Sequence, residues 1–99
     1  MCLKTRMWSA IVKPDDFRLV SGEANLIDYT PDRAHHYFCR SCGVRSFGQG
    51  QYESGEKFYA IRVVCLEDLN IDDLVNAPIR YIDGLNENYD SPPAEIRHL

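Results

Sequence analysis

The stretch HHYFCRSCGVRSF, residues 35–47, decides how this chain is read. Cys39 and Cys42 stand two residues apart and Gly43 follows them. That spacing lets the chain turn so that both sulfurs face one point. Glycine adopts positive φ without penalty, which lets backbone N–H groups aim at the sulfurs. Between two β-like runs, Cys-x-x-Cys-Gly reads as half of a zinc site, because structural zinc takes four ligands. Two other readings use the same residues. One is a reduced pair of cysteines on a hairpin. The other is a redox pair, which needs a strand-to-helix turn in a βαβ setting, and the surrounding pattern has no such setting.

The remaining candidate ligands are Cys2, Cys65, His35, His36 and His98. Cys65 ends an apolar run and reads as a structural thiol. On a strand His35 and His36 point to opposite faces; one of them could reach a metal, while the default for each is a surface histidine. His98 lies in the tail. Cys2 sits at the start of the chain beside the cations Lys4 and Arg6. No second Cys-x-x-Cys is present, so these residues do not complete a four-cysteine site.

Outward from the knuckle the pattern is mostly β, with short apolar runs between turn residues. Strands are expected over Met7–Val12, Phe17–Val20, Leu26–Thr30 and His35–Phe38, then from Val44 to Phe47, with Gly48-Gln49-Gly50 breaking the run. Lys57–Cys65 is the longest β-like segment, rich in aromatic and β-branched residues. Ile79–Asp83 is a last short strand. Lys13-Pro14-Asp15-Asp16 and Ser21-Gly22-Glu23 carry turn chemistry. One helical turn is expected over Leu69–Val75, with Asn70 as its N-cap, Asp72 and Asp73 in its first turn and Pro78 beyond its end.

The chain has 99 residues, 44% of them hydrophobic and 26% charged, which suits a single soluble domain over residues 1–99. A domain of this size buries roughly two thirds of its unfolded surface, so a metal staple would matter to it. The net charge of −4 argues against nucleic-acid binding, which needs a basic face. No apolar run approaches membrane-span length, and the residues after Met1 do not form a signal peptide. A reducing, cytoplasmic setting is expected, where cysteines serve as ligands or reactive thiols rather than as disulfides.

Phe38-Cys39-Arg40-Ser41-Cys42-Gly43, followed by Val44-Arg45-Ser46-Phe47, resembles the late motif of the glutathione-dependent formaldehyde-activating (GFA) enzyme family. Cys2-Leu3-Lys4-Thr5-Arg6 looks like the end of that family's middle motif. Phe17 to Glu23 with Tyr29, Cys65-Leu66-Glu67-Asp68, and Tyr81 to Gly84 with Asn88-Tyr89 are similar to its other segments. The family's early Cys-x-Cys and the first two cysteines of its middle motif have no counterpart here, which leads us to expect an N-terminally incomplete GFA-like domain.

The resemblance implies a β-tent-like zinc-binding fold of several small antiparallel sheets with little helix. It implies a zinc-dependent carbon–sulfur lyase-like enzyme that adds glutathione or a related thiol to formaldehyde or another small aldehyde. Carried over by position, Cys39 and Cys42 match half of a structural zinc site, and Cys2 matches the last ligand of a catalytic one. Arg6 and Arg45 flank the cysteine motifs and are the candidates for holding glutathione carboxylates. The alternatives are a zinc-stapled binding module without catalysis, or an inactive truncated homologue that folds only by pairing with a second copy as a homodimer.

Overall fold

In a computed structural model describing all 99 residues, the chain forms two compact units, Trp8–Leu66 and the pair of segments Met1–Met7 and Glu67–Leu99.

The first unit is one antiparallel sheet of five strands: β1 (Ser9–Val12), β2 (Leu26–Tyr29), β3 (His35–Cys39), β4 (Arg45–Gln51) and β5 (Lys57–Arg62). Their order across the sheet is β1-β5-β4-β3-β2. The mostly β expectation holds, with little helix. The strands share one continuous ladder, however, rather than the several small sheets expected. β2 to β5 follow one another as hairpins, and β1 adds to the free side of β5.

That order explains why Phe17–Val20, expected as a strand, has no ladder partner. The chain leaves β1 at one edge of the sheet and must enter β2 at the other. Five strands spaced about 4.8 Å apart put those edges roughly 19 Å from each other, so the link runs across the strands instead of along them. Phe17 seats itself on the way, stacking on Tyr59 of β5 at a centroid distance of 4.0 Å and lying 4.9 Å from Phe47 of β4. Tyr37 of β3 stacks on Phe47 at 4.7 Å. The aromatic alternation of three adjacent strands thus supplies one face of the sheet, and Phe17 roofs it. Phe47 is among the most buried side chains, at 9% exposure.

Gly48-Gln49-Gly50 does not break β4, which runs on to Gln51. Both glycines are needed for close approach rather than for turning. A Cβ on Gly48 would stand 2.7 Å from the His35 carbonyl oxygen, and one on Gly50 would enter the ring of Phe58. Glycine within a strand commonly marks such an approach. β5 stops at Arg62, and Val63–Cys65, expected as its continuation, is a single 3-10 turn.

In the second unit, Leu3–Thr5 is a 3-10 turn that ends at Arg6, which has φ +44°. Helix α1 covers Ile71–Asn76, capped as expected: the Asn70 side chain accepts from Asp72 N at 2.9 Å, and Asp72 and Asp73 occupy the first turn. Ile79–Asp83 is not a strand. Only Asp83 pairs, in an isolated bridge with Asn88, and its side chain caps the following turn by accepting from Asn86 N at 3.3 Å.

Candidate metal knuckle

The turn between β3 and β4 is the Cys-x-x-Cys-Gly sequence itself. Cys39 N donates to Val44 O and Gly43 N donates to Cys39 O, both at 2.8 Å. Gly43 takes φ +75°, the left-handed value that glycine alone adopts readily. This closure turns the Cys42 and Ser41 N–H groups toward Cys39 Sγ. Hydrogen bonds from the Cys42 backbone, then the Cys42 thiol, then the Ser41 backbone hold the Cys39 thiol below its ordinary value of 9.0. Each favours the thiolate, the form that binds metal.

A residue that the sequence pattern did not single out completes this environment. Asn25, just before β2, donates from Nδ2 to Cys39 Sγ at 3.5 Å, accepts at Oδ1 from Ser41 Oγ at 3.1 Å, and accepts at its carbonyl from Arg40 N at 2.8 Å. It grips the knuckle at three points. Register brings it there, because Leu26 pairs with Cys39. A contact fourteen residues apart leaves no trace in local spacing, so no motif could have pointed to it.

The other candidates are placed as follows. His35 and His36 do lie on opposite faces. His35 Nδ1 is engaged 2.7 Å from Asp28 Oδ2, on the strand next to its own. His36 is partly buried; desolvation first, and the charge of Arg45 second, push its pKa down. Cys65 is half-buried, and its thiol points at the Arg45 carbonyl at 3.9 Å. A bulge between Tyr37 and Phe38 leaves Ser46 as the extra residue of β4. It turns Arg45 to lie along Gly48, where a Cβ would stand 3.1 Å from Arg45 Nη2. Arg45 is consequently only 7% exposed. Cys2 and Arg6 are exposed in the second unit, where Thr5 Oγ1 donates to Cys2 O at 3.3 Å.

No three His, Cys, Asp or Glu side chains gather into a ligand set. The knuckle therefore offers two cysteines whose side chains meet, enough for two of the four positions zinc requires. The residues present fit half a site and do not complete one.

A hollow of about 300 Å3 opens on the aromatic face, lined by Phe17, Tyr37, Phe47 and Tyr59 with Glu23 and Asp28. Its charged lining is wholly acidic, which does not suit the two carboxylates of glutathione.

Residues 3–79 match the family described as "Glutathione-dependent formaldehyde-activating enzyme". The chain belongs to the GFA family. The match begins one residue after Cys2 and includes Arg6, Cys39, Cys42 and Arg45. A crystal structure of a Rhodobacter sphaeroides protein, solved as a structural-genomics target, is similar to this chain. The two are 32% identical with a TM-score of 0.62, over 79% of this chain and 72% of that one. No curated protein matches.

Proposed function

We propose that this GFA-family chain joins glutathione, or a related thiol, to formaldehyde or another small aldehyde, in the manner of a carbon–sulfur lyase running in reverse. The observation that carries this proposal is the family match over residues 3–79. In the reaction the thiolate sulfur attacks the carbonyl carbon and the C–S bond forms. The carbonyl π pair moves to oxygen, and the proton lost by the thiol ends there. No oxidant or further reactant is required. Holding both partners together removes the entropy of their encounter.

Within this proposal Cys2 is the catalytic cysteine, a position the family pattern offers also as a metal ligand. Of the two arginines, Arg6 is the better placed to meet a glutathione carboxylate, being exposed. Arg45 can serve only a group that reaches its buried position. Zinc enters as a structural ion at Cys39 and Cys42, and because the ligand set is incomplete no chemical step is assigned to it. We further propose that residues 1–99 act as one functional domain, since the family match runs through both units, and that the setting is the cytoplasm. No helix is long and apolar enough to cross a membrane.

The test is the formation of S-(hydroxymethyl)glutathione followed by NMR at micromolar protein. An acceleration of at least about tenfold over the uncatalysed reaction supports the proposal, and Arg6→Ala should then raise KM for glutathione more than it lowers kcat. Absence of acceleration by a folded, zinc-treated protein would overturn it. That result would favour the alternative of a zinc-stapled binding module, which one observation supports: the knuckle has its hydrogen bonds in place, while no three-ligand group exists elsewhere.

A further inference from the structure

The hollow on the aromatic face has the lining of a cation site. Its volume of about 300 Å3 is at the small end for ligand pockets, and no Lys or Arg lines it. Its rings form two stacked pairs, Phe17 on Tyr59 at 4.0 Å and Tyr37 on Phe47 at 4.7 Å, joined by the 4.9 Å contact of Phe17 with Phe47. Two carboxylates share the lining with these rings. Asp28 is the register partner of Tyr37 and so lies on the same face of the sheet, and Glu23 opens the turn Glu23–Asn25 that leads into β2. We propose that this hollow binds a small quaternary ammonium ion of the trimethylammonium type, through its ring faces and the charges of Glu23 and Asp28.

The face of an aromatic ring carries negative charge density and attracts a cation held within about 6 Å of its centre. Asp28 adds to this field. The hydrogen bond with His35, ahead of that from Thr30, keeps its carboxyl below the usual 3.8 and therefore ionised near neutral pH. Its charge is felt inside the hollow: burial first, and the Asp28 charge second, push the Tyr37 hydroxyl above its ordinary 10.0. Hydrogen bonding then selects among ammonium ions. Asp28 Oδ1 already accepts from Thr30 and Oδ2 is engaged by His35, while the Tyr59 hydroxyl accepts from Gln49 Nε2 at 3.3 Å. A primary ammonium brings three N–H donors that each need an acceptor, and leaving them unmade is costly. A quaternary ammonium has no N–H and presents methyl groups that pack directly on the rings. The inference concerns binding alone and does not require the thiol–aldehyde chemistry proposed above, so either can fail without the other.

The experiment titrates the 99-residue chain with choline and follows both partners by NMR. Protein amide shifts should saturate with a Kd on the order of millimolar and centre on Phe17, Tyr37, Phe47 and Tyr59, while the choline methyl protons move upfield in the ring currents. The neutral carbon isostere of choline, with a tert-butyl group in place of trimethylammonium, should bind at least about tenfold more weakly, and so should ethanolamine. Glu23→Gln, in an exposed turn, should weaken choline binding about two- to fivefold without altering the circular dichroism. Glu53→Gln, in the exposed turn between β4 and β5, should leave the Kd unchanged. The proposal is overturned if the folded chain shows no saturable shift or if the shifts centre elsewhere. It is equally overturned if the isostere or ethanolamine binds as tightly as choline, or if Glu23→Gln has no more effect than Glu53→Gln.

Discussion

The ring of Phe58 lies across the backbone of Gly50 on the neighbouring strand, so close that its two Cε carbons would stand 2.8 Å from a Cβ placed there. The ring covers a stretch of strand that has no side chain of its own, and the glycine is what lets it settle. Gly50→Ala should therefore force Phe58 off its rotamer and destabilise the sheet by about 1–3 kcal/mol, as overpacking does. Denaturant unfolding measures this. In a Phe58→Ala background the same substitution should be nearly neutral, because nothing is left to displace. Gly84→Ala, where no atom lies within 4 Å of the added Cβ, is the control and should leave stability unchanged.

That pairing also marks where sequence reading stops. Local patterning located β1, β2, β3 and β5 to within a few residues, as well as the Asn70 cap, because alternation and capping are written in neighbouring residues. Gly48 and Gly50 looked like punctuation because their reason lies on other strands, at the His35 carbonyl and the Phe58 ring. Phe17–Val20 alternates like a strand, yet the position of β1 beside β5 sends it across the sheet. At the knuckle, Cys39, Cys42 and Gly43 were legible from spacing alone. Asn25 and the burial of Arg45 were not, since the first depends on strand register and the second on a bulge.

The roof over the aromatic face gives a second prediction. Phe17 stacks on Tyr59 and touches Phe47, combining area burial with ring–ring attraction. Phe17→Ala should cost about 2–3 kcal/mol, read as a lower denaturation midpoint. Phe17→Leu should recover part of the loss by keeping the apolar cover. If Phe17→Ala unfolds at the wild-type midpoint, the crossing segment does not seal this face.

The Asp28 carboxylate accepts from the ring nitrogen of His35 at 2.7 Å and from the Thr30 hydroxyl at 2.8 Å. These hydrogen bonds, that of His35 being the larger cause, hold its pKa below the ordinary 3.8. A depressed folded-state pKa means stability that is fully present above the unfolded value of 3.8 and lost as the pH falls through the lower, folded value. Wild-type melting temperature should therefore drop more steeply below pH 3.8 than that of Asp28→Asn, with the two curves converging in strong acid. Parallel curves across that range would remove Asp28 from the acid limb.

Asn25 is the residue through which the sheet controls the knuckle. Its Nδ2–H points at Cys39 Sγ while its carbonyl and Oδ1 hold Arg40 and Ser41. Removing a group that hydrogen-bonds a metal ligand typically weakens metal binding about 10–100-fold. For the zinc binding proposed at Cys39 and Cys42, Asn25→Ala should lower affinity by that factor in competition with a chromophoric chelator, with little change in the circular dichroism of the metal-free protein. Asn25→Asp should do at least as much harm, because it replaces the donor facing sulfur with a second negative charge. The backbone bond from Arg40 N survives either substitution, so the turn itself persists and the loss reports on sulfur. Equal affinities for wild type and both variants would mean that the Asn25–Cys39 contact shapes the hairpin without tuning the thiolate.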